Sequence, residues 1–266
     1  MGLIVLITDF GNSDIYVGIM KGVIKNINPN ADIIDLTNDI YSQNIKQAAF
    51  LLEKSYHYFP ENTVFLSIVD PGVGSNRKAI LVKTENYYFI APDNGILTYV
   101  LKNQKIKKII ELTNSNYFLK EISTTFHGRD IFAPVAAYLD INININEFGN
   151  ELKIEELVHI EKPLFEKINP YSFKAEVLHI DKFGNIITSI DKSNLKIENI
   201  ELSKLNLEIN GMKINKKLNY YSQTDEKVLF VYFGSFSNLE IAIKNSNASN
   251  FLNVIVGSIF EINLIN

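Results

Sequence analysis

The 266-residue sequence contains no cysteine. That removes disulfides, thiolate metal ligands and cysteine nucleophiles from consideration, and it fits a reducing compartment, so the protein is expected in the cytoplasm. It has no apolar run long enough to span a bilayer. The segment MGLIVLIT (1 to 8) is short and lacks a basic stretch, so it reads as a buried strand and not as a signal peptide. No membrane partner is expected. Basic clusters are missing too: the formal net charge is −4 and the Lys and Arg residues are scattered, whereas nucleic acid demands a concentrated positive face. There is no internal repeat and no low-complexity tract, and histidine occurs only four times.

What is present is a chain that is 46% apolar, ample for a buried core in one large or two modest domains. LIVLIT (3 to 8) is a β-branched run suited to a strand covered on both faces. From Ile15 to Ile27, the residues Val17, Met20, Val23, Ile24 and Ile27 recur at helical spacing, with Pro29 just beyond. DIIDLT (32 to 37) predicts a strand, residues 44 to 59 an amphipathic helix, and TVFLSIVD (63 to 70) another strand. AILVKT and YYFIAP predict paired strands, 95 to 103 a short helix and 131 to 140 a buried helix. This alternation predicts an α/β domain over residues 1–160, built as a mostly parallel sheet with helices on its faces. Residues 161 to 171, with two prolines, read as a linker. Over 172–266 the segments FKAEVLHID, GNIITSI, LNLEI, KVLFVYF, NLEIAI and NVIVG alternate with polar turns, which predicts a β-barrel or sandwich.

Four segments join an aspartate to a glycine after an apolar run: TDFGNSD (8 to 14), DPGVGSNRK (70 to 78), APDNG (91 to 95) and FHGRD (126 to 130). One such turn is ordinary, because glycine accepts positive φ and aspartate caps helices. Asp9, Asp70, Asp93 and Asn94 fall at the carboxyl ends of predicted strands, where ligands bind in open α/β sheets, and four such segments together at that edge of one sheet indicate a site. A magnesium- or manganese-dependent hydrolase is one reading of these carboxylates with His127, but the segments hold no HxH, HxxxH or DxD pairing. GVGSNRK matches neither phosphate-loop pattern.

Taken with DKFGN (181 to 185), these segments resemble the S-adenosylmethionine (SAM) hydroxide adenosyltransferase family, the SAM hydrolases, which is related to the fluorinases and chlorinases. The likeness runs from TDFG to LEIA (239 to 242). It implies an N-terminal α/β domain, a C-terminal β-barrel, and a homotrimer with sites between one subunit's first domain and its neighbour's barrel. No metal or redox cofactor is implied. The hydrolases carry an Asp, Arg and His trio, matched here by Asp70, Arg77 and His127. The halogenases show Tyr at positions 70 and 127 and a halide-binding Ser at position 128, where this sequence has Gly128.

The resemblance therefore implies that a water attacks C5′ of the adenosyl group and expels neutral methionine, which needs no general acid. His127 would accept a proton from the water or orient it, with Asp70 and Arg77 positioning both. Asp9 would hold the ribose hydroxyls and Asp181 the methionyl ammonium. Phe183 and Asn185 would meet adenine, and Phe126 the ribose or sulfonium side. Asn94 and Ser235 are weaker contacts. Phe236 stands where the fluorinase has arginine, and the DKFGN loop is one residue shorter than its halogenase counterpart.

Structural alternatives stay open beside these roles. His127 could be a histidine satisfied in the core, Arg77, Arg129 and Asp130 could form ion pairs, Phe183 could be core, and Asp181 with Asn185 could be turn residues. His57, His159 and His179 read as structural. At the level of function the alternatives are a chloride-using halogenase and a non-catalytic adenosine or SAM binder.

Overall fold

The run LIVLIT forms strand β1, Leu3–Thr8, with Ile4 through Thr8 buried, as a β-branched segment covered on both faces should be. The computed structural model describes residues 2–264, and the chain divides into one unit ending at Ile160 and a second beginning at Glu161.

In the first unit, β1 pairs in parallel with β2 (Asp32–Thr37) on one side and β3 (Val64–Ile68) on the other. Helix α1 (Tyr16–Ile27) connects β1 to β2, and α2 (Ile45–Ser55) connects β2 to β3. Strands β4 (Ala79–Thr84) and β5 (Tyr88–Pro92) form a hairpin, and β5 lies parallel to β3. A single helical turn, α3 (Thr98–Leu101), precedes β6 (Ile106–Leu112), which is antiparallel to β4. After helix α4 (Ala133–Asp140), β7 (Gly149–Glu151) closes the edge. The order β2-β1-β3-β5-β4-β6-β7 is thus parallel in its first half and antiparallel in its second.

One face of the sheet packs Leu6, Leu66 and Ile110 against Met20 and Ile24 of α1 and Ala136 of α4. The other packs Val5, Phe65 and Phe89 against Leu52 of α2 and Leu101 of α3. The predicted helix over 44 to 59 ends at Ser55, where the chain tightens into a 3₁₀ turn. The helix expected over 95 to 103 spans only α3. Strand β6 lies under IKKIIEL, whose lysines masked its apolar alternation. Strands β1, β3 and β5 all end at one edge, and Asp9, Asp70, Asp93 and Asn94 follow them there.

In the second unit, β8 (Phe165–Asn169) pairs with β9 (Ser172–Ile180), so the segment expected to be a linker contains a strand. Its prolines, Pro163 and Pro170, fall outside that strand, where a missing N–H breaks no ladder bond. There follow β10 (Ile186–Asp191), helix α5 (Lys192–Ile197), β11 (Leu205–Ile209), β12 (Met212–Ile214), β13 (Leu229–Phe233), β14 (Asn238–Ile243), helix α6 (Ala248–Leu252) and β15 (Ile259–Leu264). The strands pair antiparallel in the order β12-β11-β15-β9-β10-β14-β13. The two ends of that order are drawn together where Leu218 N–H donates to the Val231 carbonyl and Val231 N–H to that of Lys216, both at 2.9 Å. The result is a nearly closed barrel around Phe173, Val177, Ile186, Leu207, Ile241 and Ile262. NVIVG (253 to 257), expected as a strand, is a turn: Asn253 and Gly257 adopt φ of 51° and 88°, which extended backbone does not allow.

Candidate active site

Asp70 lies two residues past β3, and Arg77 closes the loop that leads into β4. That loop is tight. Val73 N–H donates to the Asp70 carbonyl and Ser75 N–H to that of Gly72. Gly74 has φ of +78°, and a Cβ there would fall 2.3 Å from the Thr124 carbonyl oxygen, so only glycine lets this loop approach the segment carrying His127. Arg77 Nε then donates to both Asp70 oxygens at 2.9 and 3.0 Å, and Nη2 donates to Oδ2 at 2.5 Å. The same Nη2 lies 2.9 Å from His127 Nδ1. The guanidinium sits over the Phe132 ring, and the Arg77 and Asp70 side chains are only 10% and 7% exposed. This is a desolvated, forked ion pair, far from a surface contact.

His127 immediately precedes a π-type turn, Gly128–Phe132, in which Ala133 N–H reaches back to Gly128. This wide turn heads α4, where the sequence predicted helix from residue 131. Buried Asp130 anchors it, accepting from Ser123 N–H and from the Arg129 side chain. Burial, and next the Arg77 charge, hold the His127 ring below its ordinary pKa of 6.5, while Asp70, Asp130 and the Ser123 backbone partly offset them. The ring is therefore neutral near pH 7. An arginine nitrogen can only donate, so Nδ1 accepts and the neutral ring carries its proton on Nε2.

Asp70 and His127 share a cleft of about 340 Å³ with Asp9, Phe10, Tyr16 and Phe126, within the range of small-molecule sites. The Phe10 and Tyr16 rings each meet Phe126 edge to face, at 5.7 and 5.3 Å. Gly128 also lines the cleft, and a Cβ there would lie 3.3 Å from Met20 Sδ and 3.4 Å from the Phe126 ring. Asp9 accepts from Gln43 N–H through Oδ2. Asn94 does not line this cleft; its amide donates to the Val69 carbonyl and accepts from Ile96 N–H, which pins the chain one residue before Asp70. Sequence reasoning passed over Phe10 and Tyr16 as cleft residues. The available signals were the place of Phe10 inside TDFGNSD and that of Tyr16 off the buried stripe of α1.

In the barrel unit, DKFGN wraps around Asp181. Its Oδ1 accepts from Phe183 N–H and Asn185 N–H at 2.9 Å each, and its Oδ2 accepts from the Asn185 amide at 2.8 Å. Gly184 has φ of +85°, and a Cβ there would strike the Asn247 amide, whose oxygen caps α6. Phe183 is 75% exposed and Asn185 is buried, so Phe183 is not core. Ser235 lies exposed in the turn between β13 and β14, and Phe236 is half-buried beside it. Among the described residues no three His, Asp or Glu side chains group as a metal site, and no helix is long and apolar enough to cross a membrane.

Residues 4–149 match the SAM hydroxide adenosyltransferase N-terminal domain, and residues 175–261 match the C-terminal domain of the same family. The chain is 39% identical over 262 residues to the (R)-S-adenosyl-L-methionine hydrolase of Methanocaldococcus jannaschii, covering 96% of this chain and 93% of that protein. It is 31% identical to the enzyme of the same name from Salinispora tropica, covering 94% and 93%. A fluorinase from an Actinoplanes species is 25% identical over 73% of each chain. The crystal structure of a conserved protein from Thermotoga maritima superposes with a TM-score of 0.87 at 37% identity, over 98% of this chain and 99% of that one.

Proposed function

Because the chain belongs to the SAM hydroxide adenosyltransferase family, we propose that it hydrolyses S-adenosyl-L-methionine to adenosine and L-methionine, with Asp70, Arg77 and His127 aiming the water. The observation that carries this reading is the forked Asp70–Arg77 pair with His127 Nδ1 on the same guanidinium, at the edge of a nucleoside-sized cleft.

The attacking oxygen forms a bond to C5′ as the C5′–S bond breaks. The sulfonium takes the electron pair and leaves as a neutral thioether, while the proton of the attacking water passes to bulk solvent. With Nδ1 occupied by Arg77, the one proton of the resting ring lies on Nε2 and is shared with the Ser123 backbone, so the ring can meet the oxygen only as a donor; to take the proton itself it must first release Arg77. His127 thus acts first as the group that orients the nucleophile in line with the C–S bond, a near-attack arrangement. The Asp70 charge balances Arg77, so the trio adds little net charge beside a cationic substrate. Asp9 receives the ribose hydroxyls, Phe126 flanks the ribose or sulfonium, Asp181 pairs with the methionyl ammonium, and Phe183 and Asn185 take the adenine, with Ser235 as a minor contributor, while Asn94 serves the site by fixing the chain before Asp70. No metal or redox cofactor enters this chemistry.

The relatives' names specify an R form. Since "L" already fixes the α-carbon, R designates the sulfonium sulfur, and the R epimer is the substrate to test first. The protein is further proposed to be a cytoplasmic homotrimer whose sites lie at subunit interfaces, which light scattering tests.

Incubation of the purified protein with each sulfonium epimer, followed by chromatography, tests the function. Adenosine and methionine are expected. Intact SAM beside bound adenosine would reveal a binder only. A 5′-chloro product in chloride buffer would reveal a halogenase, an outcome opposed by the absence of a hydroxyl at Gly128.

A further inference from the structure

Residues 119 to 130 are drawn into a closed loop by one aspartate. Leu119 N–H donates to the Asp130 main-chain carbonyl at 2.9 Å, and Ser123 N–H donates to Asp130 Oδ2 at 2.7 Å. Thr125, Phe126 and His127, carried on this loop, line the cleft with Asp70. The Asp130 side chain is fully buried, and its counter-charge is the neighbouring Arg129, whose Nε donates to Oδ1 at 2.5 Å and whose Nη2 donates to Oδ2 at 3.1 Å.

Arg129 also meets an aromatic ring. Its guanidinium carbon stands 5.2 Å from the centroid of Phe126, a cation–π distance. The Phe10 and Tyr16 rings contact Phe126 as well, but the two kinds of support differ in stiffness. Phe10 and Tyr16 are themselves cleft residues, and Tyr16 is 46% exposed, so a ligand can displace them. Arg129 is tied through two nitrogens to a buried carboxylate that is itself tied to Ser123. A planar fork held in this way is pre-organised. Arg129 does not line the cleft, so it reaches a ligand only through Phe126.

We propose that Arg129, fastened by Asp130, is a positioning residue that holds Phe126 as a preformed wall of the substrate cleft, so that affinity for the adenosyl group depends on a guanidinium the substrate never touches. The inference rests on the reading that Phe126 flanks the ribose or sulfonium. A wall that meets substrate and transition state alike affects KM and leaves kcat unchanged.

Steady-state kinetics with SAM on the intact protein test it. R129M alone would strand a buried carboxylate, so the charge pair is removed together in R129M/D130N, where the new amide oxygen still accepts from Ser123 N–H. R129Q, whose amide still donates to Asp130, is the second variant. In both, KM should rise about fivefold, the cost of ordering one side chain on binding, with kcat within about twofold of wild type. Calorimetric Kd for adenosine should follow KM. The same substitutions made in F126L should raise KM no further, because Arg129 then has no ring to hold. An unchanged KM in both variants, a loss in kcat instead, or an equal further rise in the F126L background overturns the inference alone, as does failure of both variants to fold, which would make the pair purely structural. A wild type that binds adenosine without hydrolysing SAM overturns the function alone, and Kd in the same variants then decides the inference. A wild type that does neither overturns both.

Discussion

The two clusters of polar residues are held by different forces. In the first unit, Asp70 and Arg77 are paired ions with side chains at most a tenth exposed, and the guanidinium extends its grip to His127. In the barrel, Asp181 is held by N–H groups of its own loop and by a neutral amide. A desolvated ion pair fixes geometry firmly but fails abruptly, because removing one partner leaves the other charge stranded. A loop network of single hydrogen bonds, each worth about 1 kcal/mol, degrades by steps. The first arrangement suits groups that must aim a nucleophile, and the second suits groups that grip a ligand.

The sharpest way to break this contrast is Asp70→Ala. We expect adenosine formation to fall about 10³-fold, within the usual range for loss of a positioned catalytic group, and the thermal midpoint to drop with it. Initial rates by chromatography and a melting curve measure both; activity within tenfold of wild type would mean the ion pair does not order the cleft. Gly184→Ala attacks the barrel loop without touching a ligand group. The new Cβ would meet Asn247 at a positive φ, so we expect KM to rise by about tenfold or more with kcat less affected, together with a lower melting temperature from overpacking.

A pH series sharpens the first half of the comparison. The folded pKa of His127 lies below the 6.5 of the free ring, so protonation favours the unfolded chain. Its stabilising contribution is complete above about pH 6.5 and is lost as pH falls further. Activity should share that direction: kcat/KM should decline on the acid side with an apparent pKa below 6.5, and His127→Gln should abolish that limb. A limb centred above 6.5 would assign it to another group. The smallest effect belongs to Phe183→Ala. The ring is three-quarters exposed, so stability should not change, while KM rises about tenfold from lost stacking on a base. Fluorescence melting and steady-state kinetics separate the two.

Much of this was legible in the linear sequence. LIVLIT, DIIDLT and the spacing of Val17, Met20 and Ile24 announced β1, β2 and α1 because burial on two faces or one stripe leaves a periodic mark. NVIVG misled because its apolar residues outweighed Asn253, whose left-handed conformation depends on capping α6. The π-type turn after His127 left no mark either, since FHGRDIFAP is equally compatible with an ordinary helix start. Phe10 and Tyr16 escaped because a residue facing a cleft and one facing solvent read alike along a chain.

The sequence by itself determined the alternation of strands and helices, the strand-rich second half, and which short polar segments end apolar runs. Those follow from local propensity and burial, which act over a few residues. Only the tertiary structure decided that Arg77 reaches across fifty positions to His127 Nδ1, that this ring keeps its proton on Nε2, and that Asp181 gathers the Phe183 and Asn185 N–H groups of its own loop. Hydrogen-bond direction is set by who stands opposite whom in space, and a one-dimensional string does not carry that information.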